Sequence, residues 1–197
     1  PAAPGAQTAR VRAATIGAMP GSNPEREAQP DPPAVLAEIL ACKRSEVERA
    51  KAEIPFSELE AAVAQAEPPR NFFRAVTRPP AEGGGPATAV IAEVKRQSPS
   101  AGLIREAYGG DGFEPERIAR AYADAGASAI SCLTDEKFFG GHLSFIERIK
   151  QSVGLPVIRK DFIIDTWQLW ESRAAGADAV LLIAEALNES QIVDMLI

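Results

Sequence analysis

This 197-residue chain has one histidine, two cysteines and no apolar run long enough to cross a membrane. A spanning helix takes about 20 consecutive apolar residues, and no window here approaches that, so a soluble protein without a membrane partner is expected. No set of Cys, His or carboxylates has metal-ligand spacing, and no glycine-rich nucleotide fingerprint is present, so neither a metal nor a cofactor is expected. Positive charge is in deficit: 21 Lys and Arg face 27 Asp and Glu, for a net charge of −6. Nucleic acids need a basic face, which argues against such a partner, although local lysines can still hold a small anion. Cys42 falls in a predicted helix and Cys132 in a predicted strand, and both are read as reduced core thiols.

The first residues are also poor in acid. Nothing acidic precedes Glu25, whereas Arg10 and Arg12 come early among Thr8, Thr15 and Ser22. That is the composition of an organelle transit peptide. Residues 1–33 are therefore expected to be a disordered tail, a transit-peptide remnant whose start has already been cut. The implied location is a plastid, or the cytoplasm if the tail is not such a signal.

What is present begins with Val90 to Gly102, VIAEVKRQSPSAG. Val90, Ile91, Ala92 and Val94 read as a buried strand; Glu93, Lys95 and Arg96 gather at its carboxyl end before a Ser-Pro-Ser turn. Residues two apart in a strand share a face, so Glu93 and Lys95 project together. A buried acid and base so placed must pair or do chemistry. Leu155 to Asp165, LPVIRKDFIID, repeats the grammar and puts Lys160 and Phe162 on one face. Two strands that each end in a lysine point to a (β/α) barrel, whose active sites gather at that rim.

The rest of the chain supports this α/β reading. Val35 to Ala52 carries an apolar helical stripe at Val35, Leu36, Ile39, Leu40 and Val47. A second helix is predicted over Phe56 to Ala66, with Ser57 as its N-cap and Glu60 three residues later. A short helix over Phe72 to Val76 and a flexible loop over Pro79 to Pro86 complete a helical extension, residues 34–86. Residues 87–197 then alternate. Strands are predicted at Ala129 to Leu133, Pro156 to Lys160 and Ala179 to Ile183, and helices at Glu114 to Ala125, Leu143 to Ser152 and Thr166 to Ala175. A long loop covers Ser98 to Gly112, and Asn188 with Gln191 caps a last helix. The joints Ala125 to Ala129 and Ala175 to Ala179 resemble each other, and each closes one βα unit.

In order along the chain, IAEVKRQSPSAG, LTDEKFFGG, LPVIRKDFIID and GADAVLLI resemble the indole-3-glycerol-phosphate synthase family, over about Val35 to Ile197. The resemblance implies a (β/α)8 TIM barrel, here with about four βα units, preceded by a helical extension. It implies a phosphorylated small-molecule substrate, 1-(2-carboxyphenylamino)-1-deoxyribulose 5-phosphate, closed to indole-3-glycerol phosphate with loss of carbon dioxide and water in tryptophan biosynthesis. By resemblance Lys160 is the general acid of ring closure, Lys95 meets the substrate carboxylate and acts as acid in dehydration, and Glu93 orients Lys95. Ser98 lies at the carboxylate-binding turn, while Phe139, Phe162 and Leu181 line the anthranilate ring. The family's catalytic glutamate, asparagine and serine on strands five to seven, and its phosphate-binding loops, fall beyond Ile197. Little activity is therefore expected of the chain alone.

Two other readings stand beside this one. Lys160 at a strand end suits a Schiff-base aldolase of the same fold. A non-catalytic half-barrel would instead self-associate through open sheet edges. His142, Trp167 and Trp170 are read as structural residues, the histidine exposed and the tryptophans packed.

Overall fold

The computed structural model describes residues 34–77 and 88–196, so the expected tail and the loop at Pro79 to Pro86 lie outside the described residues. Three helices come first: α1 (Ala34–Glu53), α2 (Phe56–Gln65) and α3 (Phe72–Thr77). In α1, Ile39, Leu40 and Val47 are buried, whereas Val35, expected on the apolar stripe, is exposed. Helix α2 starts earlier than its predicted cap. Pro55 occupies the N-cap position and no side chain caps the helix, so Ser57 already lies inside the first turn. Helix α3 is capped by Asn71, whose Oδ1 accepts from the Arg74 amide at 2.7 Å.

The remainder is a parallel sheet of β1 (Ile91–Val94), β4 (Ala129–Leu133), β5 (Val157–Lys160) and β6 (Ala179–Val180), adjacent in that order. Between β1 and β4 the chain forms a small antiparallel hairpin, β2 (Gln97–Ser98) with β3 (Gly102–Leu103), then α4 (Pro115–Asp124). A single turn, α5 (Glu136–Phe139), and α6 (Ser144–Ser152) join β4 to β5; α7 (Trp167–Ala174) joins β5 to β6; α8 (Glu189–Leu196) follows. Strand followed by helix followed by parallel strand is the βα unit, repeated here in a half-barrel arrangement.

One sheet face is buried against the helices. Val94, Ile130, Cys132 and Val157 meet Ala119 of α4 and Ile146 and Ile149 of α6 in one core. The two isoleucines are fully buried, as their spacing predicts, and each contributes about 1.5–3 kcal/mol by leaving water. The other face carries Ile91, Glu93 and Lys95 of β1 and its extension, and Ile158 and Lys160 of β5. On this face Ala129, Ser131 and Leu133 of the central strand β4 are buried, whereas the edge strand β1 is open. Ile91, on this face of the edge strand, is 47% exposed, and Val90, just before the strand, is 51% exposed, so of the four apolar residues expected to be buried here only Val94 is. The fourth parallel strand is also shorter than expected. It pairs as Ala179–Val180, and Leu181 follows it with one further bond to Arg159 O at 3.1 Å.

The extension grips the base of the sheet through Arg70. Its amide donates to Asp178 Oδ1 at 2.7 Å, and its guanidinium donates to the carbonyls of Lys150, Val153 and Leu155 at 2.7–2.9 Å. Lys150 Nζ and the Val157 amide complete the coordination of the buried Asp178 carboxylate at 2.5 and 2.8 Å. Among the described residues no helix is long and apolar enough to cross a membrane.

Candidate active site

Because the four strands run parallel, their carboxyl ends share one rim, and the charged residues after each apolar run meet there. Glu93 is the centre. Its Oε1 lies 2.8 Å from Lys95 Nζ and its Oε2 lies 2.5 Å from Lys160 Nζ, so one carboxylate bridges lysines from two strands. The Lys95 contact follows from their shared strand face. The Lys160 contact comes from the sheet order, which places β1 and β5 on either side of β4. Burial resists ionisation of Glu93, but the two ammonium donors outweigh it and hold the carboxyl below its usual range. The side chain of Lys160 is 40% exposed, so its ammonium remains open to a ligand.

Phe162 follows Lys160 by two residues, and its ring pairs with that of Phe139, the centroids 6.2 Å apart. Phe139 is the last residue of α5, a turn absent from the sequence reading. The turn is capped by the Asp135 side chain, which accepts from the Phe138 amide at 2.8 Å. It ends at Gly140, whose φ of 60° favours glycine. Gly141 is held by space: a Cβ there would stand 2.4 Å from the Leu133 carbonyl oxygen. The FFGG sequence is thus what lets the chain fold back onto the end of β4.

Ser98 lies in β2 within the loop expected to be irregular, and its Oγ accepts from the Ala101 amide at 3.2 Å. Gly102, with φ 63°, turns the hairpin, and Arg96 steadies the following segment by donating to the carbonyls of Tyr108 and Gly110 at 3.0 and 2.7 Å. Leu181 sits half-buried just after β6. His142 is exposed and hydrogen-bonded to Ser144 at 2.7 Å, as expected of a structural residue.

Beneath the rim, on the helix-facing side, is a group that the sequence reading missed. Arg159 and Asp161 flank Lys160 and point the opposite way, where they are 5% and 3% exposed. Asp161 Oδ2 accepts from Thr134 Oγ1 at 2.6 Å and Arg159 Nη2 at 3.0 Å, and its Oδ1 accepts from the Phe162 amide at 2.8 Å. Arg159 also reaches Glu171 Oε2 at 2.7 Å and Ser172 Oγ at 3.0 Å. From α1, Lys43 enters at 4% exposure. Its Nζ stands 2.6 Å from Glu46 Oε2 and 3.0 Å from both Asp135 Oδ2 and Asp161 Oδ1. The Asp135 approach is ionic, off the angle of a directed hydrogen bond. Burial opposes both charges, yet Arg159 and Lys43 hold the Asp161 carboxyl below its ordinary range, and Asp161, Glu46 and Asp135 keep the Lys43 ammonium firmly protonated.

The sequence signal for this cluster was available. Lys43 lies four residues from both Ile39 and Val47, on the buried stripe of α1, and Val157, Arg159 and Asp161 alternate on one strand face.

The family model for indole-3-glycerol phosphate synthase matches residues 36–196. The chain belongs to that family. It is 47% identical over 158 residues to the indole-3-glycerol phosphate synthase of Acidithiobacillus ferrooxidans, covering 80% of this chain and 57% of that protein. Against the proteins of the same name from Rhizorhabdus wittichii and Rhodopirellula baltica, identity is 46% over 160 and 45% over 161 residues, covering 81% and 82% of this chain. The chain spans 57–58% of the length of these bacterial relatives. Membership of the synthase family makes the four-stranded parallel sheet part of a (β/α) barrel fold.

Proposed function

We propose that this chain supplies the amino-terminal part of an indole-3-glycerol phosphate synthase active site, with Lys160, Glu93 and Lys95 as its catalytic trio. One observation carries the reading: the Glu93 carboxylate joins Lys95 and Lys160 at the rim. The substrate's anthranilate ring lies against those rings and Leu181. As the ring carbon bearing the carboxylate attacks the ribulose carbonyl carbon, the carbonyl oxygen gathers negative charge. Lys160 gives it a proton and Glu93 holds the ammonium in place. Carbon dioxide leaves, its bonding electrons restoring the ring system. Lys95 first holds the substrate carboxylate with the help of the turn at Ser98, then protonates the departing hydroxyl, which leaves as water while the neighbouring methylene carbon gives up a proton to a base and its C–H electron pair forms the indole double bond.

The test is indole-3-glycerol phosphate formation, followed by indole fluorescence, in the 197-residue chain and in a protein of the relatives' full length. Turnover is expected in the longer protein, with little in the shorter. Borohydride added with the substrate should leave no covalent label on Lys160; labelling would favour the aldolase chemistry instead.

A second reading is supported by the open edges of the sheet. Ile91 and Val90 are about half exposed, and β1 and β6 are the sheet's edges among the described residues, so we infer that two copies of the chain associate through these strands. Sedimentation at micromolar concentration should then show a dimer; a folded monomer overturns it. The acid-poor composition before Glu25 supports plastid targeting by residues 1–33. Fusing them to a fluorescent protein tests that against a cytoplasmic location.

A further inference from the structure

Lys43 is remote from the proposed chemistry in sequence, yet its ammonium meets the two carboxylates that fix the aromatic wall. Asp135 caps the turn that ends in Phe139, and Asp161 holds the backbone amide of Phe162. Both carboxylates are almost wholly buried, at 1% and 3% exposure, and Lys43 is the cation that approaches both. Arg159 serves Asp161 alone of the two, from below, where Glu171 also engages it. Glu46, one turn further along α1, takes up a third side of the ammonium at 2.6 Å.

We propose that Lys43 is a positioning residue: through it, helix α1 clamps the carboxyl ends of β4 and β5 and sets the separation of Phe139 and Phe162, the wall that takes the substrate's aromatic ring. The role of that wall rests on the proposed function, but the clamp itself does not. Without the ammonium, Asp135 and Asp161 face a buried space with two like charges and less compensation. Each then relaxes toward water or takes a proton, and the α5 turn and the Phe162 backbone shift independently. The Glu93 bridge to Lys95 and Lys160 lies on the other sheet face and persists.

Hydrogen exchange on the 197-residue chain tests the clamp directly. In Lys43→Met, the Phe138 and Phe162 amides are expected to exchange about tenfold faster or more, while the core Ile130 amide, bonded to Pro156 O at 2.9 Å, keeps its protection. Lys43→Arg should restore both. Equal acceleration at all three amides would mean general destabilisation and would overturn the proposal, as would no change. Lys43→Gln provides the same comparison if the methionine variant does not fold.

In a protein of the relatives' length, Lys43→Met should lower kcat/KM by up to about 100-fold, mostly through KM, because the wall binds the ring while Lys160 keeps its partner. A variant that is only less stable would lose kcat in proportion to its inactive fraction, with KM unchanged. If the unaltered longer protein lacks synthase activity, the proposed function falls and the exchange result alone decides the clamp.

Discussion

Replacing Asp161 with Asn keeps the shape of the side chain and removes its charge. In the native protein its two oxygens serve Lys43, Arg159, Thr134 and the Phe162 amide at 2.6–3.0 Å, almost without solvent. The amide of Asn retains one acceptor and turns a donor toward cations that have nothing to accept with. Breaking a buried ion pair by removing one partner costs about 3–5 kcal/mol. The lower end applies here, because Lys43 keeps Glu46 and Asp135, and Arg159 keeps Glu171. A loss of about 3 kcal/mol corresponds to a fall of roughly 6–12 °C in Tm for a domain of this size. Urea unfolding followed by tryptophan fluorescence reads it as a lower midpoint at constant slope. The pH dependence supplies the sign. Asp161 has a folded pKa below its unfolded one, so its contribution is complete above the ordinary carboxylate range and disappears as pH falls through the folded value. The two proteins should therefore converge in acid. A difference under about 0.5 kcal/mol near neutrality, within the range of an inconsequential surface change, would refute the reasoning. So would a gap that persists in strong acid.

Other features of the fold give independent tests. Arg70→Ala strips donors from three carbonyls at the base of the sheet and should cost about 1–3 kcal/mol, measured by the same urea titration. Gly141→Ala forces a methyl against the Leu133 carbonyl; it should cost at least about 1 kcal/mol and alter near-ultraviolet circular dichroism from the displaced Phe139. Burial pushes the Cys132 thiol up to about 12, whereas Cys42 is half-buried beside Glu46, its thiol raised more modestly by burial and that carboxylate. Ellman's reagent should titrate Cys42 in the native protein and Cys132 only after unfolding.

Local pattern foretold the elements wherever local forces decide them. Strand β4 occupies Ala129–Leu133 as read from its apolar run, and Asn188 and Gln191 exchange reciprocal amide bonds at 2.9 and 3.0 Å, as their spacing requires. The helix stops at Gly126 and Gly176 follow equally, with φ near 90° at both. What escaped depends on contacts between distant segments. Ile91 looks like a core residue by composition, but it lies on β1, an edge of the sheet, and stays half exposed, whereas Ala129 beside it on β4 is buried. Strand β6 is shorter than its apolar run because a strand extends only as far as its pairing, and the register with β5 spans Ala179 and Val180. Lys95 could be paired with Glu93 from alternation alone, whereas the Lys160 bridge required the strand order. Lys43 lies on the apolar stripe in sequence, but its partners, carboxylates that follow β4 and β5, are fixed only by the packing of α1 on the barrel strands.

The most direct measurement of the central claim is the rate of indole-3-glycerol phosphate formation by a protein of the relatives' length, with Lys160 intact and with Lys160→Ala. General-acid catalysis by a positioned side chain contributes about 100- to 10,000-fold, so the variant should lose at least the lower figure in kcat and still bind substrate. A variant that turns over within a few-fold of the parent would contradict the assignment of Lys160, and with it the role given to the Glu93 bridge.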